Sequence, residues 1–452
     1  MKKKWLLTSA IVILLMFCLY GYLEWRQQRS YNNRIHARAS LILRLNLDQV
    51  LKTLAGDFFS SPSDYLGSGC GRGTKPEAER GLQLPANVFI YNISGQPAST
   101  YFCSLPVEDI DTLKNYLTKV LHFQLADMSA DKSLFKASSK DGKLSVLFNE
   151  SDIAISYSLS KANVGGILED LVLHKNTLTS NSALLSPLKR SRAHVSWSGP
   201  GTSGTLQFRD GAVVADGSIP INGLGVTAQP NVRSDFPDHA VLKGWFSGDL
   251  RKLLGNQHIS WQGHQINTDS LLSHYDNYLD FYVGGMISQQ EKAISYEYDE
   301  NFEKVAKTVV KEVAVPEISI SMDGSASGMS RYLAATGIIE DDSRLNARLF
   351  PLFKVFVDYT DPRMMTLTTV QSNIAKPLRH PNPYFLSADI DFQALKKWKN
   401  TAVPEHTTKL LQTFTVRAAK SDEQRANLHM ELLFIKKDVN SFLQLLRFNS
   451  CN

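Results

Sequence analysis

Charge of one sign is what most of this chain lacks. Its 49 lysines and arginines stand against 44 aspartates and glutamates, and residues 1–34 hold six of the basic residues but only one of the acidic ones. The rest of the chain is therefore formally neutral, with 43 of each. Nucleic-acid binders show a basic stripe or patch. None stands out here, so nucleic acid is not expected as a partner. Cysteine is scarce as well: the four present, Cys18, Cys70, Cys103 and Cys451, have no zinc-type spacing.

The local signatures of catalysis are also missing. In "SMDGSASGMS" (Ser321–Ser330), Gly324 and Gly328 bracket Ala326, while Ser325 and Ser327 flank it. A nucleophile must occupy the tip of the G-x-S-x-G turn, so a small-residue turn leaving a strand is the better reading. "GSGCGRG" (Gly67–Gly73) has the glycines of a phosphate loop without its Gly-Lys-Ser/Thr ending. His258, His264 and His274, with Asp276 and Asp280 nearby, lack the i, i+4 spacing of helical zinc ligands. Asp389 with Asp391, and the run Glu340-Asp341-Asp342, suit caps and turns unless a cleft shifts their pKa values. Trp197, Trp245, Trp261 and Trp398 suit a core, with a ligand groove as the alternative. No catalytic residue, cofactor or metal is expected.

What the chain does have begins at its amino terminus. After Met-Lys-Lys-Lys, residues 5–23 run without a charge. At 1.5 Å per helical residue, about 20 residues cross a hydrocarbon layer of ~30 Å. Trp5 at one end and Tyr20, Tyr22 and Trp25 at the other suit the two interfaces. "LYGYLEWRQQRS" offers no small-x-small cleavage site, which favours an uncleaved anchor over a signal peptide. Lys2, Lys3 and Lys4 argue for a cytoplasmic amino terminus, although Arg26, Arg29 and Arg34 follow the span closely. Cys70 and Cys103 lie in loop-like or strand-end sequence, where a disulfide between them would fit an oxidising compartment. Two unpaired thiols are the alternative, and Cys451 reads as unpaired.

Beyond a polar stalk, long helical patterns are few: Val107–Leu121, Asn163–His174 and Asn301–Val313. Many strand-like runs alternate apolar and polar residues, as antiparallel sheet with one wet face requires. Asn149 to Asp152 reads as a hairpin turn. The segment "LILRLNLDQVLKTL" (Leu41–Leu54) has partial echoes in "VLKGWFSGDLRKLL" (Val241–Leu254) and "LSADIDFQALKKW" (Leu386–Trp398). In each, a strand runs into a polar step that can cap a short helix. Leu45, Trp245 and Ile390 are the expected buried positions.

"KDGKLSVLFNESDIAISYSLSKANVGGILEDLVLH" (Lys140–His174) follows the same grammar: strand, turn, strand, helix. In this it resembles the uncharacterised single-pass envelope proteins of bacteria built from strand–strand–helix units after an amino-terminal anchor. The resemblance implies a location and a fold class, and no catalytic residue. The expected fold is α+β: a transmembrane helix followed by a large, mainly antiparallel sheet ectodomain with short helices, internally duplicated. The expected segments are a cytoplasmic tail (1–4), the anchor (5–23), a stalk (24–40) and two α+β halves (41–238 and 239–452).

The leading functional expectation is a non-enzymatic scaffold or binding protein of the cell envelope, held in the inner membrane with its body on the periplasmic side. Its partner would be an envelope protein or a lipid. A carrier or chaperone for an apolar ligand or envelope client is the alternative, and a hydrolase assembled from distant residues the third. Protease added to spheroplasts should digest the body of the protein while leaving a fragment that keeps residues 5–23. Protection of the body, or a mature terminus beyond residue 23, would contradict the anchor.

Overall fold

The computed structural model describes residues 21–32, 34–60, 80–127, 133–160, 162–179, 181–226, 231–298, 300, 302–340, 343–371, 378–398 and 405–450. Among them no helix is long and apolar enough to cross a membrane, and residues 5–20 of the expected anchor lie outside them. The chain forms two compact units, one of residues 1–217 with 438–452 and one of residues 218–437. Antiparallel sheet with short helices dominates both, as an α+β fold requires.

The first unit opens with helix α1 (residues 21–29). Its strands are β1 (Ala39–Asn46), β2 (Asn87–Ile93), β3 (Thr100–Pro106), β4 (Gln124–Asp127), β5 (Phe135–Ser138), β6 (Leu144–Phe148), β7 (Asp152–Ser158), β8 (Val195–Gly199), β9 (Thr202–Arg209) and β10 (Ala212–Pro220). They are ordered β4-β5-β6-β7-β3-β2-β1-β8-β9-β10. Helix α2 (Leu47–Ser60) follows β1 directly. Helix α3 (Ile110–Asn115) continues into a π turn at Tyr116–Val120, so the helical pattern of Val107–Leu121 is realised from Ile110. Asn149 builds the expected hairpin between β6 and β7, its side-chain oxygen accepting from the amides of Ser151 and Asp152.

Helix α4 (Gly165–Val172) places Ile167, Leu168, Leu171 and Val172 on one face. With Leu185 and Leu188 of α5 (Leu185–Arg190) they pack against Ile42, Phe89, Tyr91 and Phe102 of the sheet. Each such side chain contributes roughly 1.5–3 kcal/mol when fully buried, so this layer is the main cohesive element of the unit. A smaller core sets Leu113 and Leu117 against Phe135, Phe148 and Ile153.

The second unit continues with β11 (Val232–Ser234), β12 (Leu242–Ser247), β13 (His258–Trp261), β14 (His264–Asn267), β15 (Tyr275–Tyr298), β16 (Lys304–Gly324), β17 (Phe356–Asp358), β18 (Met364–Thr368), β19 (Arg379–Pro381), β20 (Tyr384–Asp391), β21 (Leu411–Lys420) and β22 (Arg425–Phe434). Its main sheet runs β22-β21-β20-β12-β15-β16-β18-β17, while β11–β19 and β13–β14 are separate ribbons. Helices α6 (Leu250–Leu254), α7 (Thr268–Leu272), α8 (Ala326–Ala335) and α9 (Phe392–Leu395) each follow a strand within a few residues.

The three related segments all adopt the strand–cap–helix form. Asn46 accepts a hydrogen bond from the Gln49 amide ahead of α2, Asp249 from the Arg251 amide, and Asp391 from the Gln393 and Ala394 amides. Such a cap is worth about 1 kcal/mol. Burial differs from expectation, however. Trp245 is buried, whereas Leu45 and Ile390 are only half-buried. In β1 the core-facing set is Ile42, Arg44 and Asn46, because a period-two element hides one phase only and Arg44 finds its partners on the inner side.

Asn301–Val313 also differs from the sequence reading. From Lys304 it is strand β16, not a helix, and pairs with β15 through Tyr298–Lys304. Val305, Thr308, Val309, Val310 and Val313 are β-branched, which favours extended backbone once a partner strand is available. Gln289 marks where this hairpin leaves the sheet: its side chain bonds Lys354 N and O and Thr369 O. Beyond it, nine residues of each strand form a ribbon about 30 Å long, with Ile294, Tyr296, Tyr298 and Val310 exposed.

Of the proposed cysteine pair, Cys70 lies outside the described residues. Cys103, on β3, carries a free thiol that burial pushes up to about 12, against the opposing pull of the Arg34 charge. Relative to an ordinary thiol, about a thousandfold less thiolate then exists at neutral pH. Iodoacetamide should leave Cys103 unmodified in the native, unreduced protein and modify it rapidly after unfolding. Protection that persists in denaturant until a reductant is added would instead establish the bridge to Cys70.

Candidate functional site

Arg44 is almost fully buried, at 1% exposure, and no carboxylate pairs with it among the described residues. Its guanidinium is held by neutral oxygens. Nη1 donates to the Tyr31 hydroxyl at 2.8 Å and the Leu188 carbonyl at 2.5 Å, and Nη2 to the carbonyls of Ser191 at 2.9 Å and Ala193 at 3.3 Å. Nε is buried without a partner. Four of its five donors are satisfied while its charge stays uncompensated by any contacting anion. Burial raises the Tyr31 phenol above its usual value, against the counter-pull of Arg44.

Three of those four oxygens belong to the backbone of residues 188–193, the last turn of α5 and the three residues after it, a stretch that also carries Lys189, Arg190 and Arg192. Turning its carbonyls inward to Arg44 leaves these basic side chains on the outside, where all three are exposed. Opposite them stands α1. Arg26 Nη1 lies 2.7 Å from Asp48 Oδ1, close enough for an ion pair but off-line for a hydrogen bond. Gln27 donates to Asn46 at 3.0 Å and accepts from Asn87 at 2.8 Å. Asn46 Oδ1 therefore both caps α2 and moors α1.

Between α1, the end of β1, the start of α2 and the 188–193 turn lies an open cleft of about 1130 Å³. Six cationic side chains line it, Arg29, Arg44, Lys52, Lys189, Arg190 and Arg192, against two acidic ones, Glu24 and Asp48. Asp48 is engaged by Arg26. Lys52 and Arg192 have no hydrogen-bond or ion-pair partner among the described residues, while Arg29 sits 5.1 Å above the Trp25 ring and Lys189 5.2 Å above that of Tyr31. Walls of low dielectric concentrate the field of such a cluster into the cleft. Its chemistry suits the capture of an anion.

The residues singled out from sequence lie elsewhere. Ser325 caps α8, accepting from the Gly328 amide. Gly324 and Gly328 are explained by His274: a Cβ on the first would meet the His274 carbonyl at 1.9 Å, and one on the second its imidazole at 2.5 Å. His264 donates to the Thr336 carbonyl and His258 meets the Asn267 amide, so neither converges with His274. Asp391 is a cap, and Asp389 faces Arg417 at 3.4 Å. Glu340 accepts from the Ala347 amide at 3.4 Å. Trp197 packs over Gly204 and Gly217, and Trp245 stacks on Phe236 at 6.1 Å. Residues 67–73, Asp341, Asp342 and the Trp261 side chain lie outside the described residues.

Asp280 is a buried carboxyl of the second unit, 4% exposed. Burial raises its carboxyl above the usual range, with Ser234 and Arg379 acting in the opposite direction. The Ser234 hydroxyl donates to Asp280, Arg379 pairs with Asp323, and its guanidinium lies 4.3 Å from the Tyr278 ring. These contacts tie the β11–β19 ribbon to β15 and β16, although Arg379 Nε is buried without a partner.

Sequence reading missed Arg44 and the cleft. The available signal was the run Lys189-Arg190-Ser191-Arg192, diluted by formal neutrality elsewhere. Replacing Arg44 with Met removes four hydrogen bonds from oxygens that stay buried, at a net cost of about 3 kcal/mol, read as a Tm lowered by several degrees. Lys in its place should recover little, since a point charge on a flexible stem does not span the four acceptors. A Met variant melting with the native chain would show that the clamp is not structural. Searches with this sequence and structure match no protein family, no curated protein and no solved structure.

Proposed function

We propose that this protein is a non-enzymatic, single-pass, membrane-anchored binding or scaffold protein of the cell envelope, with its body on the extracytoplasmic side. In this reading the cleft of the first unit is where it holds an anionic ligand or the anionic part of a partner. The cation-lined cleft is the observation that carries the proposal: five exposed basic side chains line one open volume above the buried Arg44, and only one acidic residue there, Glu24, is not already paired. The neutrality of the remaining chain makes that concentration more pointed. We read residues 5–23 as the anchor and the three strand–cap–helix segments as copies of one duplicated unit.

The polarity of the cleft favours this over the carrier for an apolar ligand, whose pocket would be lined chiefly by hydrophobic and aromatic side chains. No cofactor enters the proposal. Inorganic pyrophosphate titrated into the full-length protein in neutral detergent should bind, and binding should weaken as salt is raised through the range where the Debye length falls below about 10 Å. The double variant Arg190→Glu/Arg192→Glu should bind at least roughly tenfold more weakly, as expected for two reversed charges near the ligand. Absence of binding, or equal binding by the variant, overturns the proposal.

A further inference from the structure

The position of the cleft along α1 points to the source of its anion. Leu23, Glu24 and Trp25 line it, and these residues are the end of the expected membrane span and the two that follow. Tyr22, Leu23 and Trp25 are 55%, 37% and 53% exposed, so this part of α1 presents aromatic and aliphatic side chains outward. Amphipathic aromatic side chains suit the boundary between hydrocarbon and headgroups. Arg29 lies six residues beyond Leu23, about 9 Å further along the helix axis. The headgroup layer of one leaflet is roughly 5–8 Å deep. With Leu23 at the hydrocarbon edge, the mouth of the cleft opens among the headgroups, and Arg29 stands at their outer limit.

We infer that the cleft binds the phosphate of an anionic phospholipid headgroup from the leaflet in which the protein is anchored. The inference rests on the anchored, anion-binding reading above and adds the identity of the ligand. Trp25 and Leu23 meet the upper acyl chain and glycerol region. Arg190 and Arg192, exposed on the turn held by Arg44, supply donors to the phosphate from the opposite wall, and Lys52 supplies one from α2. Arg44 lies beneath, and its uncompensated charge adds to the potential without touching the ligand. The openness of the cleft suits a headgroup that stays attached to its membrane; a free metabolite would be more fully enclosed.

Anionic lipid enriched near such a site should also steady the first unit against the membrane, because α1 is moored to that unit through Arg26 and Gln27. The anchor and the cleft would then restrain the same helix from its two ends.

The test uses the full-length protein in nanodiscs of phosphatidylcholine, with and without phosphatidylglycerol. Lipid retained after extraction is identified by mass spectrometry, and inorganic pyrophosphate is titrated in parallel in detergent. Native protein should retain phosphatidylglycerol in preference to phosphatidylcholine. Arg190→Glu/Arg192→Glu should lower that retention by roughly tenfold or more, since each basic residue near an anionic surface contributes to attraction. Both side chains are exposed, so the variant keeps the fold, which unchanged resistance of Cys103 to iodoacetamide verifies. Equal retention of the two lipids, with pyrophosphate still bound and lost in the variant, overturns the headgroup inference and leaves the anion cleft standing. Failure of both ligands overturns the two readings together.

Discussion

The burial of Arg44 among neutral oxygens is the constraint on which the functional part of this molecule depends. A guanidinium taken out of water loses solvation worth several kcal/mol, and here that loss is met by the Tyr31 hydroxyl and three carbonyls of the 188–193 backbone. Those carbonyls can turn inward only if the turn folds over Arg44. Once it does, the side chains of Lys189, Arg190 and Arg192 are left outside, where they form one wall of the cleft. A buried cation thus organises three exposed ones, and like charges that would otherwise separate are held at one rim.

The opposite wall follows from a second shared group. Asn46, two residues beyond Arg44 on the same face of β1, caps α2 and bonds Gln27 of α1. Alternation along β1 therefore assigns Ile42 to the core, Arg44 to the turn and Asn46 to the helix junction, from a single strand face. The α4–α5 layer beneath supplies the apolar burial that makes holding these polar groups affordable.

In the second unit the same grammar of strand, cap and short helix serves a different end. Asp249, Asn267, Ser325 and Asp391 each accept an amide at a helix start. Its buried polar cluster around Asp280 and Arg379 joins the β11–β19 ribbon to the main sheet. The projecting β15–β16 ribbon keeps charged pairs such as Glu297 with Lys307 along one face, while Tyr296, Tyr298 and Ile294 lie exposed on the other.

Periodicity by itself determined much of this fold. Antiparallel strands, the hairpin at Asn149, the helices near Ile110 and Gly165 and the polar caps of the three related segments all follow from local patterns, because alternation, turn chemistry and capping act within a few residues. Two things depended on partners outside the segment concerned. Residues 304–313 hold both lysine spacing suited to a helix and β-branched residues suited to a strand, and pairing with β15 decided between them. The face of β1 was decided by Arg44, whose acceptors lie about 150 residues away (Leu188 to Ala193). Counting charges could not reveal the cleft, since a balanced count over residues 35–452 says nothing of where cations meet. Only the tertiary structure brings Arg29, Lys52 and the 189–192 run to one volume, because the carbonyls that Arg44 requires are found there.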